Sequence, residues 1–488
     1  MAGCWSKIYI IDIIRFIRTS IGIGGTAMDN QLVQFDIVGL HGVRDYSIHI
    51  EDNKVIIVGE NGSGKTTVFK IMYHTLSCDW DLLRTFDFES VSLRFGSGTV
   101  IQITSDLLQS IYAIDDIDRV TYYVDGRPRG RRMHVDGLIN SVISIKRKAD
   151  GKNSEELDRL YMDRPVPYQY IRAVLETDAV ERLYEITREI ELNFNATILY
   201  LPTYRRIEEQ LKNIFPNMDS DDWSRARKRT RSDRAIELVE FGMADVENAV
   251  KAYQERLNNF SRAQQNKLTF GYLSEIIDEK YEQVDIENIK QLTEQQISEI
   301  LKRIETSILS DQQKDEIRRI LSEIRDTLLP PSRVREKIVC HYFLKLIDFD
   351  KEMSDEETSL LKFVEKCNKY LVSNCLVYDN QEFTCKIFNR VSGEVSSSDE
   401  IHFQDMSSGE KQIVSLFSHL NLTQQGDLFV FIDEPELSLS VDWQRMFLVD
   451  ILDSTSCVGI VATTHSPFVF ENELERYVHG INEFCTKG

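Results

Sequence analysis

Long apolar runs are missing from this chain of 488 residues: none approaches the ~20 apolar residues that a membrane-spanning helix needs. The nearest is Ile8 to Ile17, interrupted by Asp12 and Arg15 and followed by Arg18. It is too short to span and lacks a small-residue cleavage site, so it reads as an N-terminal extension or an amphipathic partner-binding helix. Met28 offers an alternative start just before the first strand-like pattern. Cysteine is sparse, at Cys4, Cys78, Cys340, Cys367, Cys375, Cys385, Cys457 and Cys485. No two form a C-x-x-C pair and none clusters with histidine, which argues against a disulfide framework and a structural zinc site, and for a reducing cytoplasmic setting. Proline is scarce too, with 9 residues, and 42% of the chain is hydrophobic against 28% charged, so the main theme is neither disordered nor collagenous. Positive charge is in deficit. With 58 basic and 79 acidic side chains the formal net charge is -21, so phosphate backbones are repelled at long range and nucleic acid is a possible but disfavoured partner.

What is present points to an α/β chain of two to four domains, on the usual scale of roughly 100–200 residues each. Apolar runs fill residues 32 to 58 and end in Lys54-Val55-Ile56-Ile57-Val58, a buried-strand pattern running into a glycine-rich turn. A helix is predicted next, with Val68, Ile71, Met72 and Leu76 on one face. Residues 89 to 125 read as β-hairpins, with turns at Phe95-Gly96-Ser97-Gly98-Thr99 and Asp125-Gly126. Another strand, Thr197 to Leu201, leads into Pro202-Thr203-Tyr204-Arg205-Arg206. From about 235 to 329 the spacing is helical, through Val246, Val250, Tyr253, Leu257 and Phe260, then Ile297, Leu301, Ile304 and Ile308, then Ile317, Leu321, Ile324 and Leu328. Spacings of three and four suit packed helical hairpins or a short coiled coil, closed by Pro330-Pro331. Buried strands return at Leu428 to Ile432 and Val458 to Thr463. The expected divisions are 1–27, an extension; 28–234, the first part of a nucleotide-binding head; 235–330, a helical insert; and 331–488, the rest of the head.

Four motifs carry chemistry. Gly59-Glu60-Asn61-Gly62-Ser63-Gly64-Lys65-Thr66, between a predicted strand and a predicted helix, fits the P-loop pattern G-x-x-x-x-G-K-[ST]. Backbone N–H groups there wrap phosphates, Lys65 reaches the β- and γ-phosphates, Thr66 ligates Mg²⁺, and Thr67 completes the phosphate-binding set. Leu428 to Pro435 is an apolar strand delivering Asp433 and Glu434 at its carboxyl end, a Walker B pattern. In it Asp433 holds Mg²⁺ through water and Glu434 polarises the attacking water. Pro435 biases Glu434 towards an extended backbone. Shortly before that strand, Met406-Ser407-Ser408-Gly409-Glu410-Lys411-Gln412 opens an amphipathic helix whose start favours an anion, in the order and spacing of an ABC signature. Thr463-Thr464-His465-Ser466 ends a further strand and puts His465 where a switch histidine would meet the γ-phosphate.

These four motifs, spread over residues 59 to 466, resemble the ABC ATPase superfamily in its Rad50, SMC and OLD-like branch. The resemblance implies an ABC-type head, a mixed sheet with flanking helices and an antiparallel β subdomain, interrupted by a helical insert. It also implies a homo-oligomer whose heads clamp ATP head to tail, so that Ser407, Ser408 and Gly409 of one copy meet nucleotide held by Lys65 of another. Transporter subunits keep P-loop and signature far closer together. Gln102 and residues 202–206 are the candidates for a Q-loop, and Ser440 stands where related chains often have histidine. More narrowly, Gly39 to Asp45, Tyr200 to Arg206 and Glu434-Pro435-Glu436-Leu437-Ser438-Leu439 look like bacterial anti-phage ATPases, first those of the PARIS system (AriA) and second the Septu ATPase. That implies a sensor controlling a separate toxic nuclease of the Toprim (AriB) type and answering a phage-encoded trigger protein. The 23 residues after His465 leave no room for a Toprim domain, so effector chemistry is expected in another chain. Basic segments Arg127 to Arg132 and Arg225 to Arg234 are either solvated loops or docking sites for nucleic acid or an acidic protein. The competing functions are a DNA-repair ATPase and an ATP-dependent assembly scaffold with little turnover.

Overall fold

The computed structural model describes residues 31–60, 62–114, 138–150, 168–201, 234–237, 243–304, 309–327, 331–391, 394–423 and 426–487. They fall into two compact units, one built from the chain up to residue 240 and from 425 onward, the other from Phe241–Gln424. The sequence pattern sets the insert at 235–330; the second unit runs further, taking in three strands and the signature-like helix.

The first unit holds two sheets. In chain order its strands are β1 (Leu32–Leu40), β2 (Arg44–His49), β3 (Lys54–Val58), β4 (Ser90–Phe95), β5 (Val100–Thr104), β6 (Thr197–Leu201) and β7 (Ala235–Glu237). The second unit contributes β8 (Asn374–Asp379), β9 (Thr384–Val391) and β10 (Glu394–Ile401), and the first resumes with β11 (Leu428–Asp433), β12 (Cys457–Thr464), β13 (Val478–Gly480) and β14 (Cys485–Lys487). Antiparallel pairing orders one sheet β14-β2-β1-β4-β5; parallel pairing orders the other β13-β3-β12-β11-β6-β7. Every residue of β11 is buried, as expected of a central parallel strand, which needs apolar side chains on both faces. β12 lies between β3 and β11, with Thr464 opposite Val58 and Thr463 opposite Asp433. Three strand ends therefore finish level, at the carboxyl edge where α/β sheets hold ligands.

The helix Lys65–Leu76 covers this sheet. Val68, Ile71, Met72 and Leu76, the face expected from spacing, are all fully buried. Phe69 packs edge-on against Phe431 of β11 at 5.3 Å and tilted against Tyr200 of β6 at 5.9 Å, while Tyr73 stacks on Tyr200 at 4.4 Å. Two readings of local structure are corrected. Residues 105–112 are helix, not strand, because Thr104 caps the turn by accepting from the Leu107 amide at 3.3 Å. Ala235–Glu237, at the start of the predicted helical insert, is instead the edge strand β7. The Asp125-Gly126 turn, residues 127–132 and 225–233, and the 202–206 segment lie outside the described residues.

In the second unit, helices Met243–Ile277 and Val334–Tyr370 run antiparallel: Tyr253 donates its hydroxyl to the Glu356 carbonyl at 2.6 Å and Tyr272 to that of Ile338 at 3.1 Å. Helices Glu294–Lys302 and Asp311–Thr327 bury Ile297, Leu301, Leu321 and Ile324 against Cys340, Phe343 and Leu346. One buried ion pair ties the packing together. Arg303 grips Glu357 with two nitrogens at 3.0 Å each and reaches Asp350 at 2.6 Å, while Tyr378 of β8 donates to Glu357 at 2.8 Å. Among the described residues no helix is long and apolar enough to cross a membrane, and every cysteine is a free thiol.

Candidate functional site

The turn after β3 is built to expose backbone donors. Gly64 stands before the helix at φ 97°, a left-handed conformation that costs glycine nothing. A side chain at Gly59 would sit 2.8 Å from the Ile481 side chain, so close packing also demands glycine there. Helix Lys65–Leu76 has no side-chain cap and no acid in its first turn, so its leading N–H groups and dipole face outward. The Ser63 hydroxyl is buried without a hydrogen-bond partner, a polar group that an incoming anion would satisfy. Lys65 is only 4% exposed and donates to the carbonyls of Gly59 at 2.8 Å and Glu60 at 2.9 Å. Burial holds its pKa below the ordinary lysine value, opposed by the nearby charges of Glu434, Asp433 and Glu436.

An open cavity of about 200 Å³ is lined by Gly62, Ser63, Gly64, Lys65, Thr66, Thr67, Glu434 and His465. Three of the four sequence motifs thus meet at one edge of the parallel sheet. Asn61 lies outside the described residues. Ser407, Ser408 and Gly409 belong to the other compact unit, where Ser407 caps helix Ser408–Asn421. Its capping box is reciprocal: Glu410 accepts from the Ser407 amide at 3.0 Å and hydroxyl at 2.8 Å, and Asn374 donates to the other carboxylate oxygen at 3.0 Å. Gln102 is on β5, bonded to Ser90 at 3.3 Å, and does not line the cavity. Ser440 occupies the N-cap position of helix Val441–Leu452, with no side-chain capping bond.

The acidic pair divides its roles by environment. Asp433 is 4% exposed and accepts from the Thr463 hydroxyl. Glu434 reaches the cavity, and burial together with the adjacent Asp433 charge raises its pKa above the usual glutamate value, against the lowering influence of His465. Its carboxylate is 3.7 Å from His465 Nε2. The expectation of an extended Glu434 is overturned: its backbone is left-handed, φ 51° and ψ 62°. Its amide still extends the ladder by donating to the Thr463 carbonyl at 2.9 Å, and the chain must then reverse into the 3-10 turn Pro435–Ser438, which outweighs the preference imposed by proline.

Further groups outside the four motifs brace the ends of β11 and β12. Glu436 accepts from the Thr464 hydroxyl at 2.8 Å and the His465 amide at 2.7 Å. Gln444 donates to the Leu439 carbonyl at 3.0 Å and accepts from the Ser466 hydroxyl at 2.6 Å. Both partners of Glu436, the last residue of β12 and the one after it, are remote in sequence, so only its place after Asp433-Glu434-Pro435 signals it.

Among the described residues no group of three or more His, Cys, Asp or Glu side chains could cage a metal. Thr66 lines the cavity and the buried Asp433 precedes Glu434, which also lines it; a hydroxyl and a carboxylate are donor types suited to a Mg²⁺ ion that takes its other ligands from phosphate and water.

The family described as AAA ATPase domain matches residues 31–470. No curated protein matches the sequence. Among solved structures, the Smc head domain with an extended coiled coil bound to the C-terminal domain of ScpA, from Pyrococcus furiosus, is 11% identical over 90% of this chain and 91% of that one, at a TM-score of 0.31. The SmcHead bound to the C-winged helix domain of ScpA is 9% identical over 90% of each chain, at 0.30. The Smc head domain with a coiled coil and joint from Pyrococcus yayanosii is 14% identical over 90% and 93%, at 0.26. With nine-tenths of its length matched by one family and the P-loop, acidic strand end and histidine gathered at one sheet edge, the chain belongs to the AAA ATPase domain family.

Proposed function

We propose that this chain binds ATP with Mg²⁺ and hydrolyses it to ADP and phosphate. The observation that carries the reading is the cavity in which the P-loop faces Glu434 and His465. Lys65 and the leading amides of its helix would neutralise the β- and γ-phosphates, and Thr66 and Asp433 would hold the metal. Mg²⁺, when bound, supplies Lewis-acid polarisation of the phosphate oxygens. Glu434, in its deprotonated form, would orient the attacking water and take its proton as the water oxygen bonds to the γ-phosphorus and the bond from that phosphorus to the β,γ-bridging oxygen breaks, its electron pair leaving with ADP, with His465 placed to hydrogen-bond the transferred group.

Ser407, Ser408 and Gly409 of a second copy would complete the site, making turnover depend on a homo-oligomer. Resemblance to PARIS and Septu ATPases supports the wider role of a sensor that holds or switches a separate Toprim-type nuclease when a phage protein binds. Mixing Ser408→Arg with Lys65→Ala protein tests the shared site: neither variant turns over alone, and the mixture regains part of wild-type turnover. No recovery on mixing contradicts sharing. Co-expression with a Toprim-type nuclease, with and without phage, tests the sensor role; growth arrest by this chain alone contradicts it, and stimulation of turnover by DNA ends would favour a repair ATPase instead.

A further inference from the structure

His465 follows the last residue of β12, and the backbone that carries it is fixed from outside its own strand. The Glu436 carboxylate spends both oxygens on that segment, Oε1 on the His465 amide at 2.7 Å and Oε2 on the Thr464 hydroxyl at 2.8 Å. Thr464 is fully buried, and its hydroxyl oxygen also accepts from the Ser466 amide at 3.0 Å. On the far side of His465, the Ser466 hydroxyl donates to Gln444 at 2.6 Å, and Gln444 in turn donates to the carbonyl of Leu439 at 3.0 Å. The histidine turn is therefore bracketed by the segment that leaves β11, the strand that ends at Asp433 and is followed by Glu434. Glu436 itself does not line the cavity.

We propose that Glu436 is a positioning residue, which fixes the His465 backbone to the turn after β11 so that the imidazole stands beside the Glu434 carboxylate at the phosphate end of the cavity. A charge-assisted pair of bonds to one carboxylate locks two adjacent residues in a single geometry, at the point where the chain leaves the sheet after Thr464. The turn Pro435–Ser438 thereby becomes a mechanical link: any displacement of that segment moves His465 and Glu434 together. This inference rests on the ATPase reading for its kinetic consequence but not for its geometry.

The test compares Glu436→Ala, Glu436→Gln and wild type as full chains. The amide retains an acceptor for the His465 N–H and a partner for Thr464, so Glu436→Gln keeps turnover within about threefold of wild type, whereas Glu436→Ala lowers kcat by roughly 10- to 100-fold, the scale of a misplaced catalytic group. Binding of a fluorescent ATP analogue stays within about twofold in both, because nothing that touches the cavity is removed. A readout independent of turnover is the ¹⁵N–¹H signal of the His465 ring, assigned by its loss in His465→Ala: it moves in Glu436→Ala and keeps its position in Glu436→Gln. Wild-type kcat in Glu436→Ala, a proportional loss of nucleotide binding and kcat, or a histidine signal unmoved in Glu436→Ala would each overturn the proposal. A wild-type chain without turnover whose histidine signal still responds overturns the ATPase reading alone.

Discussion

Replacing Glu434 by Gln separates the chemistry of the site from its cost to the fold. The carboxylate is about one-quarter exposed, lies beside Asp433, and titrates above the usual glutamate range because burial and its acidic neighbours disfavour the charge. The proposed role as a base requires the deprotonated form, so the amide should lower kcat by about 10²- to 10⁴-fold, which corresponds to roughly 3–5 kcal/mol of transition-state stabilisation. ATP affinity should not fall, since the phosphate-binding groups remain. Stability moves the other way. A carboxyl whose folded pKa is raised binds its proton more tightly in the native state; its contribution is fully present below the unfolded pKa and is lost as pH rises through the folded value. Above that value wild type carries an ionised Glu434 that the fold disfavours, and the Gln variant does not. Thermal unfolding followed by circular dichroism should show Glu434→Gln more stable than wild type near pH ~8, with the difference vanishing near pH ~4 where both side chains are neutral. The left-handed backbone at φ 51° is common to both, so it cancels from the comparison. A Gln variant no more stable than wild type at the higher pH, or a gap that does not narrow on acidification, would refute the electrostatic reasoning.

Phe69→Ala should destabilise the first unit by about 3–5 kcal/mol, because a fully buried ring seated on Tyr200 and Phe431 leaves a cavity between the P-loop helix and the parallel sheet. Urea unfolding measures it, and a loss below ~1 kcal/mol would show that the helix repacks. In the second unit, Arg303→Ala should cost about 3–5 kcal/mol by leaving Glu357 buried without its partner, and Arg303→Met combined with Glu357→Leu should recover most of that loss. Equal unfolding midpoints for the single and double variants would contradict the pair's assigned role.

Which parts of this architecture are legible in sequence follows from how local their causes are. Lys54–Val58, Leu428–Asp433 and Cys457–Thr464 declare themselves as continuous apolar runs, because parallel strands covered on both faces leave no polar side. The P-loop is local too, its glycines answering to left-handed turns at Gly62 and Gly64. The insertion of β12 between β3 and β11 is not local, and nothing in the pattern of either neighbour announces it. The 37-residue helix Val334–Tyr370 is obscured by an acidic stretch around Asp348 to Glu357, in which Glu357 is tolerated only because Arg303, far back in the chain, meets it. Glu434 escapes its proline rule for the same kind of reason: a sheet hydrogen bond to Thr463 fixes its amide before Pro435 can choose its backbone. Glu436 is invisible as a functional group until β12 brings Thr464 and His465 to it.

The central claim, that the cavity between the P-loop and the Glu434–His465 pair hydrolyses ATP, is met most directly by phosphate release from Mg²⁺-ATP, measured side by side for the purified full chain and its Lys65→Ala variant. The ammonium that leans on the Gly59 and Glu60 carbonyls is the only buried cation lining that cavity among the described residues. Wild type should release phosphate continuously, with release abolished in the variant while its fold, read by circular dichroism, is unchanged. Equal rates from the two proteins would contradict the site.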